Sequence, residues 1–453
     1  MRVSALFSAF LLSTACALAQ DARIVTEPVL PPACATLEAQ LATTDRALAP
    51  GDEQKLDTVR IQKAIDGCGK GRGVYLRSNR EKNAFLSGPL TLKSGVALVV
   101  DKGATLFATR DAAQYATAPG SCGVVTAENL HGCRPLISVE HAYGAAVMGL
   151  GTIDGRGGAL LLGSKISWWN LAEQARAGGR QQAFRLVVVD HTDNFTLYGI
   201  TLKNSPNFHV TFSHGEGFTA WGVTIDTPQR GARNTDGIDP GSDARNVTIT
   251  HCSIRTGDDN VAIKGGPGGA QRMTIAHNHF YWGHGMSIGS ETDGGVSQIR
   301  VTDLSLDGPD NGIRIKSNGS RGGLTEDVVY DDVCVRRSPN PITLDTGYTA
   351  AGTLTGTKLP SMRAITLHNV RVSGGGTISF NGYDATHRIA ARLDGVWITD
   401  EEKYRYKFAH SDLFLGPGAT NLQLPKGENA TLTGTPAENA AASCQEKFLP
   451  FPQ

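Results

Sequence analysis

A short strand pattern that returns every 23 to 29 residues constrains this chain more than any other feature. NVTI begins at Asn246, RMTI at Arg272 and QIRV at Gln298, two steps of 26. Upstream, NFTL at Asn194 and GFTA at Gly217 are 23 apart, with 29 more to Asn246, and downstream DVVY at Asp327 follows Gln298 by 29. Alternating Val, Ile, Thr and Phe, frequent Gly and Asn, and no helical periodicity point to a parallel β-solenoid. Each repeat is one coil whose apolar face is buried only against its neighbours, so the coils must stack. Stacking sets equivalent positions of adjacent coils about 4.8 Å apart, the strand spacing of a sheet.

That spacing turns sequence period into proximity for four polar clusters: NTDGIDP (Asn234 to Pro240), GDDNVAIK (Gly257 to Lys264), GHGMSIGSE (Gly283 to Glu291) and GIRIK (Gly312 to Lys316). A step of 26 sets His284 beside Asp258, whereas matching VAI to MSI gives 25 and sets it beside Asp259, so both neighbours stay open. Lys316 falls one step of 26 from Ser290 and two from Lys264.

Taken alone, Asp258 and Asp259 between turn residues read as ordinary turn chemistry. Asp236 one coil away changes that, because three clustered carboxylates perturb one another's protonation. One protonated carboxyl beside ionised ones suits glycosidic cleavage, in which one group protonates the leaving oxygen and the others activate water. His284 beside the pair can help set which carboxyl keeps its proton. Arg314 and Lys316, two apart on a strand, share a face and can bind a substrate carboxylate, Arg314 in a bidentate manner. Calcium held by the carboxylates is the competing reading, and the nearby cations argue against it.

Composition narrows the remainder. The 43 basic and 43 acidic residues leave no net charge, so an acidic substrate must be recognised by local cations. No phosphate-binding glycine loop, Gly-x-Ser-x-Gly elbow or basic aromatic patch for nucleic acid is present. Residues 1–19, with Arg2, an apolar run and Ala17-Leu18-Ala19, read as a secretory leader, with lipid attachment at Cys16 as the weaker alternative. A soluble exported monomer without membrane attachment is expected after cleavage. Residues 20–50 read as weakly structured, and 51–453 as one solenoid domain. Leu56 to Cys68 reads as an amphipathic end-capping helix with Val59, Ile61, Ala64, Ile65 and Cys68 on one face.

Two insertions between Thr109 and Arg185 map to loops on one face, and Trp168 and Trp169 read either as a sugar-stacking surface or as loop packing. The regular coils are expected from Phe184 to Thr399, followed by a final coil and end cover. An oxidising compartment permits disulfides, and the spacing favours Cys122 with Cys133 and Cys34 with Cys68. Cys252 and Cys334 lie in strand patterns and read as buried thiols.

With these four motifs in this order and spacing, the chain resembles the polygalacturonases of glycoside hydrolase family 28, particularly the bacterial secreted endo-enzymes, from about Leu56 to Asn381. The resemblance implies a right-handed parallel β-helix, no metal or other cofactor, and inverting hydrolysis of α-1,4 bonds between galacturonate residues of de-esterified homogalacturonan. It implies Asp258 as general acid, Asp236 and Asp259 as the pair activating water, and His284 as support for the acid. Arg314 and Lys316 match the holders of the galacturonate carboxylate, Tyr348 a substrate-contacting tyrosine, and Asn234 a residue orienting its neighbours. Exo action or a rhamnogalacturonan or xylogalacturonan substrate is the near alternative. A calcium-dependent pectate lyase and a non-catalytic carbohydrate-binding β-helix are the distant ones.

Overall fold

The computed structural model describes residues 21–44, 47–128, 130–348, 358–422, 429–438 and 442–452; the leader and Cys16 lie outside them. Thirty strands join in one hydrogen-bonded sheet wound into a right-handed parallel β-helix. The face that matters for function is built by Ile137–Glu140, Val187–Asp190, Val210–Ser213, Ile238–Pro240, Val261–Ile263, Met286–Ile288, Asn311–Lys316 and Asn340–Asp345. They pair in parallel, coil upon coil. Alternation sends one column inward: Val187, Val210, Ile238, Val261, Met286, Ile313 and Ile342 are all fully buried. Burying each such side chain contributes about 1.5–3 kcal/mol relative to exposure. The intervening column points away from this core and is free to carry chemistry.

The expected repeat is the observed register: Thr196 pairs with Thr219, Phe218 with Val247, Val247 with Met273, Met273 with Ile299, and Ile299 with Val328. The residue opening each pattern has a structural job. Asn194, Gly217, Asn246, Arg272, Gln298 and Asp327 all adopt left-handed backbone, with φ between 52° and 93°. Each turns the chain onto a new side of the coil. Asn, Asp and Gly tolerate that conformation, whereas Arg272 and Gln298 adopt it at a cost that stacking offsets.

The solenoid starts earlier than residue 51. Ala33–Glu38 is a parallel strand on Arg72–Arg77, tied down by the Cys34–Cys68 disulfide, and Asp21 is buried where Thr248 donates to its carboxylate at 2.8 Å. These few alternating residues need a finished coil to pair with, so their own pattern is weak. The capping helix, Thr58–Gly67, buries Ile61 and Ile65, but Val59 is 81% exposed. At about 100° per residue, Val59 is turned some 200° from Ile61 and leaves the buried face.

Cys334 corrects another expectation, because it is bonded to Cys444. Its neighbours Val333 and Val335 point into the core, so Cys334 points outward, where Cys444 of the returning tail meets it. Lys447 of that tail donates to Asp303 at 2.7 Å, and the Arg255 guanidinium lies 3.7 Å from the Phe451 ring centre. Cys252 is the free thiol among the described residues, and burial pushes its pKa up to about 12.

The two insertions build one wall. Val124–Thr126 pairs antiparallel with Arg180–Gln182, and Cys122–Cys133 closes the loop beside it. Trp168 is fully buried against Tyr115 and Phe184, while Trp169 donates through Nε1 to the Ser205 carbonyl at 2.9 Å. Both tryptophans therefore pack the wall, and the sugar-stacking alternative fails for Trp168.

Candidate active site

The outward-pointing positions of the middle coils bring the sequence clusters together. Asp258 and Asp259 leave the turn before Val261–Ile263, and His284 the turn before Met286–Ile288. The ambiguity in register resolves to Asp258: His284 donates its backbone N–H to the Asp258 carbonyl at 2.8 Å, and its Nδ1 lies 3.0 Å from Asp258 Oδ1. The turn keeps a step of 26, whereas Val261 pairs with Met286 at 25, so this coil loses one residue between turn and strand. Lys316 aligns with Gly289 rather than Ser290, because Ile288 pairs with Ile315.

Gly289 sits between Lys264 and Lys316 on that column. Its φ of +95°, and a Lys316 carbonyl that a Cβ would meet at 1.9 Å, exclude any side chain there. The gap keeps the two lysines facing common space.

Asp259 is the most enclosed carboxylate. Lys316 Nζ donates to its Oδ2 at 2.7 Å, Ser287 Oγ to Oδ1 at 2.7 Å, and an Arg314 nitrogen to Oδ1 at 3.3 Å. Burial pushes its pKa up, yet Lys316 and Arg314 outweigh burial and the nearby Asp258, so it is held low and ionised. Asp258 faces the groove. Burial again raises its pKa, and the His284 hydrogen bond and charge, with Lys316 and Lys264, bring it well below the usual range. His284, whose Nε2 is also 3.4 Å from Asp310, is correspondingly raised by Asp258 against burial. Asp236 goes the other way: burial, then Asp239 and Asp258, push its carboxyl well above the usual range, against the pull of Lys264 Nζ at 3.4 Å.

Tyr348 completes the group, its ring centre 5.3 Å from both the Arg314 guanidinium carbon and Lys316 Nζ. Asn234 takes left-handed backbone at φ 57°. The bonds tying its turn to the next coil come from Thr235, whose hydroxyl donates to the Ala232 carbonyl at 2.6 Å and accepts from Gly257 N–H at 3.0 Å. Oxygen and nitrogen atoms of Asp258, Asp259 and His284 lie within 4.8 Å of one another, a spacing a cation could use. Lys316, Arg314 and Ser287 already engage both oxygens of Asp259, so the donor set fits side-chain cations better than a metal.

Asp239 and His209 escaped the sequence reading, and Lys264 was read only as a rung of the polar column. Asp239, three residues after Asp236 in the same motif, is buried 3.6 Å from Lys264 Nζ without a hydrogen bond to either oxygen. Burial raises its pKa to about 7. Lys264 is driven well above its usual value by Asp239 and Asp236 despite burial. His209 is fully buried between the Asp236 carbonyl, 2.9 Å from Nδ1, and Thr227 Oγ1, 2.8 Å from Nε2. Desolvation lowers it to about 4, so it stays neutral and fixes the Asp236 backbone. The signal was present for Asp239, whose alternation with Ile238 faces it outward; nothing local marked His209.

Asp239 has a measurable consequence. Its folded pKa exceeds that of the unfolded chain, so folding binds a proton between about pH 4 and 7, and stability falls as pH rises through that window. Asp239→Asn is expected to flatten this fall. Unfolding midpoints at pH 4.5 and 7.5 check it, and identical slopes in the two proteins would remove Asp239 as the cause.

Three clustered carboxylates beside a histidine and two cations, on one face of a β-helix, fit a glycoside hydrolase. The model of the glycosyl hydrolases family 28 matches residues 79–409, and the chain belongs to that family. It is 43% identical over 399 residues to an endo-polygalacturonase of Pectobacterium carotovorum subsp. carotovorum, covering 87% of this chain and 94% of that one. A polygalacturonase of Ralstonia nicotianae is 36% identical, with 94% and 92% covered. The solved polygalacturonase from Erwinia carotovora ssp. carotovora superposes with a TM-score of 0.79 at 39% identity, covering 92% of this chain and all of that one.

Proposed function

We propose that this protein is an endo-acting polygalacturonase that hydrolyses α-1,4 bonds of de-esterified homogalacturonan with inversion. The observation that carries the reading is the meeting of Asp258–His284 and Asp259–Lys316–Arg314 within one stretch of groove. The endo-polygalacturonase similarity over most of the chain supports the mode of attack.

Asp258, the most accessible of the three aspartates, is the general acid. His284, Lys316 and Lys264 hold it well below the usual carboxylate range against burial. A galacturonate carboxylate seated on Arg314 and Lys316 neutralises part of that field, and the proton held on His284 passes to Asp258. Asp258 then gives the proton to the glycosidic oxygen as the bond to the anomeric carbon breaks. Water attacks that carbon from the opposite side, and its proton goes to the carboxylate pair. Asp259, held ionised, is the readier acceptor; Asp236, whose carboxyl is shifted upward, orients the water by hydrogen bonding. Tyr348 packs beside the bound sugar, and Asn234 shapes the turn that carries Asp236.

The three disulfides support export to an oxidising compartment. No helix among the described residues is long and apolar enough to cross a membrane. We take the working form to be a monomer.

Incubation with polygalacturonate, following viscosity and reducing ends together, tests the reading. A steep viscosity fall at small reducing-end release is expected. Slow viscosity loss with mono- or digalacturonate accumulating would make it an exo-enzyme, and an ultraviolet-absorbing unsaturated product abolished by chelator would make it a lyase.

A further inference from the structure

The wall formed by the two insertions encloses one cation that the chemistry above does not use. The strand register places Arg185, Phe208, Asp236 and Asp259 in one column, two residues ahead of Val187, Val210, Ile238 and Val261. Arg185 is therefore two coils from Asp236, about 10 Å along the solenoid axis. Its guanidinium carbon lies 4.9 Å from the centre of the Phe208 ring, which also carries Lys264 Nζ at 5.3 Å. Phe208 thus links this cation to the edge of the catalytic group.

No described residue gives the Arg185 guanidinium a hydrogen bond or an ion pair; Asp239 and Asp236 act on it only through their fields. Burial depresses its pKa, yet an arginine keeps its charge in a protein. The side chain is only partly buried, and a guanidinium without a protein acceptor is free to pair with an incoming carboxylate. A cavity of about 180 Å³ opens beside it, lined by Gly132, Cys133, Gln181, Val188 and Asn207 as well as Arg185. Both amide atoms of Gln181 are buried without a partner. Asn207 Oδ1 accepts the Phe208 N–H at 2.7 Å, which directs its amide nitrogen elsewhere as a donor. Arg185 and Asn207 thus border one space, and the unpartnered Gln181 amide lies beneath its surface.

The wall is built to stay there. Gly132 N–H donates to Gln182 Oε1 at 2.9 Å, and Cys122–Cys133 fixes the loop that presents Gly132 and Cys133. Bound galacturonan running along the coils would bring a carboxylate past this point.

We propose that Arg185, with Gln181 and Asn207, forms a distal carboxylate subsite that grips a galacturonate residue about two coils from the cleavage point and so makes the enzyme select for chain length. The proposal rests on the polygalacturonase reading. It identifies Arg185 as a substrate-binding residue, remote from the bond that breaks.

The test compares wild type, Arg185→Gln and Arg185→Lys on a ladder of oligogalacturonates, with KM and kcat measured at each length. Wild type is expected to show a drop in KM at the first length that reaches Arg185. A charge-assisted pair of this kind is worth roughly ten- to hundredfold in affinity. Arg185→Gln is expected to lose that drop while matching wild type on shorter oligomers, and Arg185→Lys to recover part of it. Unfolding midpoints establish that the variants are folded, and a KM raised equally at every length would assign Arg185 a structural role instead. An unchanged length profile in Arg185→Gln overturns the subsite and leaves the activity standing. Wild type inert on every oligomer and on polygalacturonate overturns the activity reading, and the subsite falls with it.

Discussion

Asp258→Asn is expected to lower kcat on polygalacturonate by about a thousandfold or more, within the range general acid catalysis supplies. Asparagine keeps the size of the side chain and an oxygen that can accept from His284 Nδ1, now 3.0 Å from Asp258 Oδ1, so the site keeps its shape. The transferable proton is what disappears. Binding of oligogalacturonate by calorimetry should persist or tighten, because Arg314 and Lys316 remain and one negative charge facing an acidic substrate has gone. The imidazole provides an independent readout. Burial lowers the His284 pKa and Asp258 more than restores it, so the His284 titration should move down in the variant. The sign of the stability effect follows from both partners. Asp258, depressed when folded, contributes above its unfolded pKa; His284, raised when folded, contributes below its own unfolded pKa and loses that contribution as pH rises through the folded value. The pair is therefore worth most in the window between the two, and there the variant should be least stable relative to wild type. Turnover within tenfold of wild type would take the acid role away from Asp258.

Why so much of this site could be read from residues alone follows from the fold. A solenoid converts a sequence interval into a distance of one strand spacing, so Asp236, Asp258, His284 and Arg314 become neighbours by counting. Counting fails where a coil gains or loses a residue. His284 and Met286 are one residue closer in sequence than Asp258 and Val261, which produced the two readings for His284, and the following coil, where Met286 pairs with Ile313 at a step of 27, gains one residue and moves Lys316 from Ser290 to Gly289. It fails again where contacts ignore the period. Cys334 and Cys444 are 110 residues apart, joined by a tail that runs back along the outside of the stack. Val333 and Val335 announced a strand, but alternation alone left open what covers the residue between them. His209 and Arg185 were invisible for a related reason: their environments are made by Thr227 on one coil and by an insertion on another, and neither carries a repeat.

Lys316→Ala is expected to damage folding and catalysis together, which a simple surface clamp would not do. The ammonium is buried, and its bond to Asp259 at 2.7 Å reaches a carboxylate only 1% exposed. Removing the lysine leaves that carboxylate to Ser287 and the longer Arg314 contact. Breaking one side of a buried pair costs about 3–5 kcal/mol, so the unfolding midpoint should fall clearly. Lys316→Met, which keeps most of the stem, isolates the charge from the packing and should lose nearly as much. The pH dependence distinguishes this cause from a cavity. Asp259 is depressed by Lys316 and Arg314 against burial, so its contribution is present above the unfolded carboxylate pKa and is lost as pH falls through the folded value. The gap between wild type and either variant should accordingly be widest near neutral pH and close as pH drops below about 4. Catalysis fails on two counts, because KM rises with half the carboxylate clamp gone and kcat falls as Asp259, no longer held ionised, becomes a poorer acceptor for the proton of water. A Lys316→Met protein with wild-type stability at pH 7 and an unchanged KM would mean that Asp259 is held by Arg314 and Ser287 alone, and that the substrate carboxylate seats elsewhere in the groove.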